Sequence, residues 1–188
     1  MLDEGLLGTG RLCVVGSINR DVRTAPFAAS DTLLRDGETP VDGICETVGG
    51  GGANCACAAA ALGARVGFLG KVGADALGER LAAVLSRHGV HARLARAPDC
   101  QTGTSLALSF ADGQRHFVSC QPNNASLGLD DLDLSVLPGY RHLYRADIWF
   151  SARMLFGGNA RLFAAARQAG LTVSMDVNFD PWWGIETE

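Results

Sequence analysis

Val48-Gly49-Gly50-Gly51-Gly52-Ala53-Asn54, running straight into the alanine-rich stretch Cys55–Gly63, is the segment that decides the fold. Four successive glycines remove every Cβ, so the backbone can turn sharply and lie against a ligand. A helix starting just after them points unpaired N–H groups, and the positive end of its dipole, into that turn. Asn54 falls in the first turn of that helix, where its amide offers a donor and an acceptor to a polyol. The alternative reading of such a run is a flexible link. The order of parts around it argues for a site instead. A polar strand end, Gly16-Ser17-Ile18-Asn19-Arg20-Asp21, lies upstream, and a second glycine-punctuated turn, Gly70-Lys71-Val72-Gly73-Ala74-Asp75-Ala76-Leu77-Gly78, lies downstream.

Outward from the glycines, strand and helix patterns alternate. Leu12–Gly16 is a continuous apolar run of the kind a buried parallel strand shows. Asn19 and Asp21 follow it, which puts two polar side chains just past a strand's carboxyl end, the edge at which open α/β sheets bind ligands. Residues 24–46 carry turn signals at Asp31, Asp36-Gly37 and Asp42-Gly43 and read as short antiparallel strands. Ala53–Leu62 favours helix and Gly63 stops it. Arg65–Leu69 reads as strand. Asp75 caps a helix over Ala76–His88, with Leu77, Leu81, Val84 and Leu85 on one face and Gly89 at its end. Val90–Leu94 is a strand, and Thr104–Phe110 with Arg115–Cys120 is a hairpin with one apolar face. Gln121–Ala125 reads as a loop and Asp130–Leu137 as a short helix. Leu143–Ser151 reads as strand, Asn159–Gln168 as helix and Leu171–Asp176 as strand. Such alternation argues for a parallel sheet covered on both faces.

These segments together resemble the ribokinase (PfkB) family of carbohydrate and nucleoside kinases. Gly16–Asp21 is similar to the family's first strand and sugar-contacting turn. Gly49–Asn54 with Leu62-Gly63-Ala64 is similar to its Gly-Gly-x-x-x-Asn motif and the helix after it, and Val72-Gly73-Ala74-Asp75-x-x-Gly78 completes the first of its two diagnostic patterns. Thr102-Gly103-Thr104, Asp112-Gly113-x-Arg115, Asn124-Ala125 and Asp176-Val177-Asn178 extend the similarity over nearly the whole chain. The second pattern, Gly-Ala-Gly-Asp, does not occur.

The resemblance implies a three-layer, Rossmann-like (ribokinase-like) α/β sandwich over residues 1–188, C-terminally truncated. A small β lid, from segments at about 24–46 and 102–121, would stand over the sugar and could serve a homodimer. It also implies ATP and Mg2+ as cofactors of the complete enzyme and a small sugar as acceptor, with a nucleoside kinase or a non-catalytic sugar-binding module as alternatives. Residues matching Asp21, Gly50 and Asn54 contact the sugar in the family. Gly51 stands where ribose-specific members place lysine, which counts against ribose itself. Asp176 and Asn178 match a segment that approaches the nucleotide phosphates. The catalytic aspartate would lie beyond residue 188, so the chain alone is expected to be inactive.

The residues themselves support an acceptor seat. A carboxylate accepts two hydroxyls and an amide both accepts and donates, so Asp21 with Asn19 can hold vicinal hydroxyls, and Asn54 can complete the grip. The plain alternatives are a solvated turn aspartate, a helix-capping asparagine and, for Asp176 and Asn178, an ordinary turn after a strand. Gly67–Val72 is no P-loop, because position 65 is arginine and no Ser or Thr follows Lys71. Gly50-x-Gly52-x-x-Cys55 lacks the last small residue of a dinucleotide fingerprint.

Bulk properties narrow the class. A chain of 188 residues, 47% hydrophobic, is enough for one sizeable core. A formal charge of −4 with no basic run argues against nucleic acid. Lys71 is the only lysine beside fifteen arginines. The six cysteines show no framework and read as buried, reduced thiols, and the four histidines show no metal spacing. No apolar run approaches the roughly 20 residues of a membrane span, and no signal peptide opens the chain, so a cytoplasmic protein is expected. The segment after Asp176 holds Trp182 and Trp183 but no covering helix, which reads as truncation with an exposed sheet edge.

Overall fold

The computed structural model describes residues 10–30, 33 and 35–178. Its centre is a sheet of five parallel strands: β1 (Arg11–Val15), β4 (Arg65–Gly73), β5 (His91–Ala97), β8 (His142–Arg145) and β9 (Thr172–Met175), in the order β5-β4-β1-β8-β9. Parallel neighbours need crossovers, and three helices provide them: α1 (Gly51–Ala61), α2 (Ala76–Arg87) and α3 (Gly158–Gln168).

The two-residue period of β1 sorts its side chains to opposite layers. Val14 packs with Phe68, Val66, Ala53, Ala56, Leu81 and Leu85 under α1 and α2. Cys13 and Val15 pack with Leu69, Leu143, Leu162 and Ala166 under α3. Both layers are closed by fully buried side chains, so the architecture is the expected three-layer α/β sandwich. From β1 the chain builds first towards β5 and later, on the other side, towards β9, so the strand order reverses between β1 and β8. In open α/β sheets the crevice at such a reversal is where ligands bind.

A second, four-stranded sheet stands beside the first: β2 (Asn19–Thr24), β3 (Ile44–Gly49), β6 (Thr104–Ser109) and β7 (Arg115–Cys120), in the order β3-β2-β6-β7. Its first strand begins at Asn19, not near 24, because residues 19–24 pair antiparallel with 44–49 and parallel with β6. Asn19 and Asp21 are therefore strand residues rather than loop residues. Between these strands the described residues contribute only a bridge from Phe27 to Phe110, their rings meeting edge to face.

Several boundaries differ from expectation for identifiable reasons. Helix α1 starts at Gly51, inside the glycine run, because Gly50 takes φ 92 and turns the chain into it. Asp130–Leu137 is not one helix but two 3-10 turns, Leu129–Asp131 and Leu134–Gly139, the second carrying Pro138. Gln121–Ala125 contains a helical turn, Pro122–Ala125. Strand β8 ends at Arg145, because Asp147 adopts the left-handed conformation (φ 58) and sends the chain into the 3-10 turn Ile148–Phe150. All six cysteines are free, but only Cys13 is buried, while Cys45 and Cys120 are exposed. Trp182 and Trp183 lie outside the described residues.

Candidate functional site

Each glycine of the run 49–52 makes room for a different neighbour. At Gly49 a Cβ would fall on the carboxylate of Asp21, and at Gly51 on that of Asp147. At Gly50 it would meet the Ser17 backbone, and the positive φ excludes most other residues in any case. At Gly52 it would stand 2.7 Å from the Cα of Gly16, where the start of α1 rests on the end of β1. The run thus brings two carboxylates, a strand end and a helix N-terminus to one place.

That place is a cavity of about 440 Å3 between the carboxyl end of the parallel sheet and one face of the second sheet. Asn19, Asp21, Gly50, Gly51 and Asn54 all line it, together with Ser17, Asp147 and Asn178. The odd-numbered residues of the second sheet face it: Ser105 on β6, and Arg115, Phe117 and Ser119 on β7. Of the residues singled out in the sequence, only Asp176 does not line it.

A polar chain runs along the sheet side. Asn19 Nδ2 donates to Asp21 Oδ1 at 2.6 Å and lies 3.4 Å from Ser105 Oγ, which also accepts from Ser119 and Gln121 at 2.9 Å each. Asn19 is almost wholly buried and Asp21 half-buried, so the network fixes the carboxylate while leaving it facing the cavity. Burial pushes the Asp21 carboxyl above its ordinary value, opposed by the Asn19 hydrogen bond and the charge of Arg23. Asn54 is exposed on the first turn of α1, its amide available at the cavity rim.

Asp147 was not apparent from the sequence. It sits at 4% exposure just past β8, in the strained left-handed region. Its carboxylate accepts from Gly52 N at 2.8 Å, from Asn178 Nδ2 at 2.9 Å, and from the backbone and hydroxyl of Ser17. The side chain therefore ties the end of β1, the start of α1 and the segment after β9 into one unit. Beneath it, Arg145 is fully buried. Its Nε donates to Asn159 Oδ1 at 3.0 Å and its Nη1 to the carbonyls of Val15 and Ala146, while Nη2 has no partner among the described residues. Burial brings the guanidinium down to about 10, with the charge of Asp147 acting the other way. A left-handed aspartate after an apolar strand leaves little trace in a single sequence; the only signal was a charged pair, Arg145 and Asp147, interrupting a run read as strand.

Asp176 and Asn178, expected on the nucleotide side, are bonded to each other but have different side-chain partners. Asp176 accepts from Tyr144 Oη at 3.3 Å and from the backbone of Asn178 at 2.7 Å, whereas the Asn178 side chain reaches Asp147. Burial, then the nearby charge of Asp176, pushes the Tyr144 phenol up to about 12, which keeps it a donor.

Two further groups lie off the cavity wall and tie neighbouring elements together. Asp75 caps α2 through Gly78 N at 2.7 Å and also receives the backbone and hydroxyl of Thr102, both at 2.7 Å. Its cap is thus also the tie between the β4–α2 turn and the loop into β6. Buried Asn123 binds Gly103 N, Lys71 O and Ile18 O, and buried Asn124 receives Ile18 N. The pair fastens the second sheet to the first.

A doubly wound sheet with a polar cavity at its switch point, flanked by a glycine-led helix and a second small sheet, defines a ribokinase-like domain. The chain belongs to the pfkB family of carbohydrate kinases, whose family model matches residues 9–183. It is 31% identical over 153 residues to a probable fructokinase-4 of Arabidopsis thaliana, an alignment covering 78% of this chain and 46% of the relative. Among solved structures it superposes on a fructokinase with bound ATP from Xylella fastidiosa with a TM-score of 0.72, at 22% identity, covering 96% of this chain and 55% of that one. A putative ribokinase II from E. coli in complex with ATP and Mg2+ gives a TM-score of 0.75 at 20% identity, covering 90% and 53%. The chain spans about half the length of the curated relatives it matches.

Proposed function

We propose that the cavity between the two sheets is the acceptor seat of a sugar kinase, and that the whole protein transfers the γ-phosphoryl group of ATP, with Mg2+, to a sugar hydroxyl. The observation that carries the reading is the set Asp21, Asn19, Asn54 and Gly50 around one cavity at the switch point. One oxygen of Asp21 is held by Asn19, which leaves the other to accept sugar hydroxyls. Asn54 supplies a donor and an acceptor from the first turn of α1, and the bare backbone at Gly50 and Gly51 admits the ring closely. Fructose is the first acceptor to test, because the curated relatives are named fructokinases. Among the described residues no group of three or more acidic, histidine or cysteine side chains could hold a metal ion. The steps assigned to these residues are binding the acceptor, orienting its hydroxyls and excluding water.

The second sheet acts in this reading as a lid over the sugar. Its outer face, with Leu106 and Val118 opposite each other and both exposed, fits a second copy of the chain. No helix among the described residues is long and apolar enough to cross a membrane, and we place the protein in the cytosol. Calorimetric titration with fructose, other hexoses, pentoses and nucleosides tests the acceptor assignment. Saturable fructose binding that is lost in Asp21→Ala supports it; binding of none of these compounds refutes it. Sedimentation of a Leu106→Glu, Val118→Glu variant tests the lid dimer, which predicts a shift from dimer to monomer.

A further inference from the structure

The amino-terminal edge of the parallel sheet, far from the acceptor cavity, carries a second cavity of about 450 Å3. Strand β4 runs from one to the other: Arg65 opens it at this edge and Gly73 closes it at the other, about 26 Å away at the usual rise per residue. Arg65, His91 and Arg93 line the cavity, and Val136 and Tyr140 contribute carbon surface.

Register explains why three basic side chains share one wall. His91 is the β5 partner of Gly67 and Arg93 that of Leu69, so both fall on the same face as Arg65, two residues before Gly67. Gly67 has no side chain, and the Tyr140 ring occupies the space a Cβ would take. Arg11, in register with Arg65 on β1, adds a further cation to the same edge. This concentration stands out in a chain whose formal charge is −4.

Little of the charge is neutralised. Arg65 and His91 have no acidic partner among the described residues, and Arg93 has only Asp133, at 3.5 Å with both side chains largely in solvent. Such exposed pairs are weak and easily exchanged. Both guanidiniums act on Tyr140: burial raises its phenol, and Arg65 and Arg93 pull in the opposite direction. Two guanidinium forks around a partly apolar hollow fit a phosphate or carboxylate group carrying a small organic body. The volume falls in the range of small-molecule sites.

We propose that this cavity binds a small organic phosphate monoester, the phosphate between Arg65 and Arg93 with His91 beside it and the organic body against Tyr140 and Val136. The site is separate from the acceptor seat and does not depend on that assignment.

The chain has two tyrosines, one at each end of the sheet: Tyr140 in this cavity and Tyr144 bonded to Asp176 beside the other. Ring-labelled tyrosine NMR, assigned with Tyr140→Phe, therefore reports which cavity a probe enters. Phenyl phosphate should shift the Tyr140 resonance saturably and leave Tyr144 unmoved. Inorganic phosphate should bind more weakly, and phenol should not bind. Arg65→Gln combined with Arg93→Gln should weaken phenyl phosphate at least tenfold, and Arg65→Gln alone should weaken it by a smaller factor. A response at Tyr144 alone, no saturable shift, or phenol binding as well as phenyl phosphate would overturn the proposal. If the double variant does not fold, Arg65→Gln alone decides: unchanged phenyl phosphate affinity there is equally fatal.

Discussion

The carboxylate of Asp21 occupies the space in which a Cβ on Gly49 would stand. The two residues lie on paired strands, Gly49 opposite Asn19 and Asp21 opposite Thr47, so the contact is diagonal. Gly49→Ala should therefore push the Asp21 carboxylate off its Asn19 hydrogen bond. Overpacking of this kind costs about 1–3 kcal/mol, and sugar affinity should fall with it. Gly139→Ala, at a position with open space and no positive φ, is the matched control and should change neither. Thermal melts and calorimetric titration of both variants check this.

Asp147 should matter more for folding than its place on the cavity wall suggests. Removing its carboxylate strands the Gly52 N–H and the Ser17 backbone N–H and hydroxyl in a buried site. Hydrogen bonds to a charged group contribute about 1.5–3 kcal/mol each, and a buried donor left unpaired costs about 1–3 kcal/mol. Asp147→Ala should thus destabilise by several kcal/mol, and Asp147→Asn by less. Urea unfolding of the two variants should rank them in that order; equal stability to the wild type would show that the left-handed turn holds without the carboxylate.

Asp75 and Asp21 should respond to acid with opposite signs. Burial raises the Asp75 carboxyl, but the Thr102 backbone and side-chain hydrogen bonds and the Gly78 and Leu77 N–H groups together hold it below its ordinary value. Its contribution to stability is complete above the unfolded value of about 3.9 and is lost as pH falls through the folded one. Asp21 is raised, so folding favours its protonated form, and stability declines as pH rises from about 3.9 through its folded value. Denaturation from about pH 2.5 to 6 should show a shallower acid loss in Asp75→Asn, and in Asp21→Asn the loss of that opposing decline.

Asp75→Ala should cost about 1–2 kcal/mol, for the lost cap and the Thr102 contacts, yet leave sugar affinity unchanged. A cap-only role predicts the lower end of that range; the additional tie to Thr102 predicts the upper end. Thr102→Val, compared with Asp75→Ala and the double variant, separates the two contributions.

The sequence carried the parallel sheet well because its central strands β1 and β4 are largely apolar runs and its helix ends are marked: Gly63, Gly89 and Gly170 all take positive φ where helices stop. That Asn19, Asp21, Gly50, Gly51 and Asn54 come together around one cavity was legible because glycine spacing and strand ends are local signals. What escaped was non-local. The apolar alternation of Leu106, Leu108 and Phe110 marked the hairpin, but period alone does not say which face is covered. The structure buries Ser105 and Ala107 and leaves Leu106 exposed. Asn123 and Asn124 looked like loop residues because their partners, Ile18, Lys71 and Gly103, are scattered along the chain. Asp147 depends on a backbone reversal that no neighbouring glycine or proline announces.

The most direct test of the acceptor assignment is equilibrium binding of fructose to the wild-type chain and to Asp21→Ala, with Asp75→Ala as control. A carboxylate that accepts sugar hydroxyls contributes about 1.5–3 kcal/mol per hydrogen bond, so Asp21→Ala should weaken binding at least about tenfold while Asp75→Ala binds as the wild type does. Equal fructose affinity in wild type and Asp21→Ala, with both proteins folded, would contradict the account.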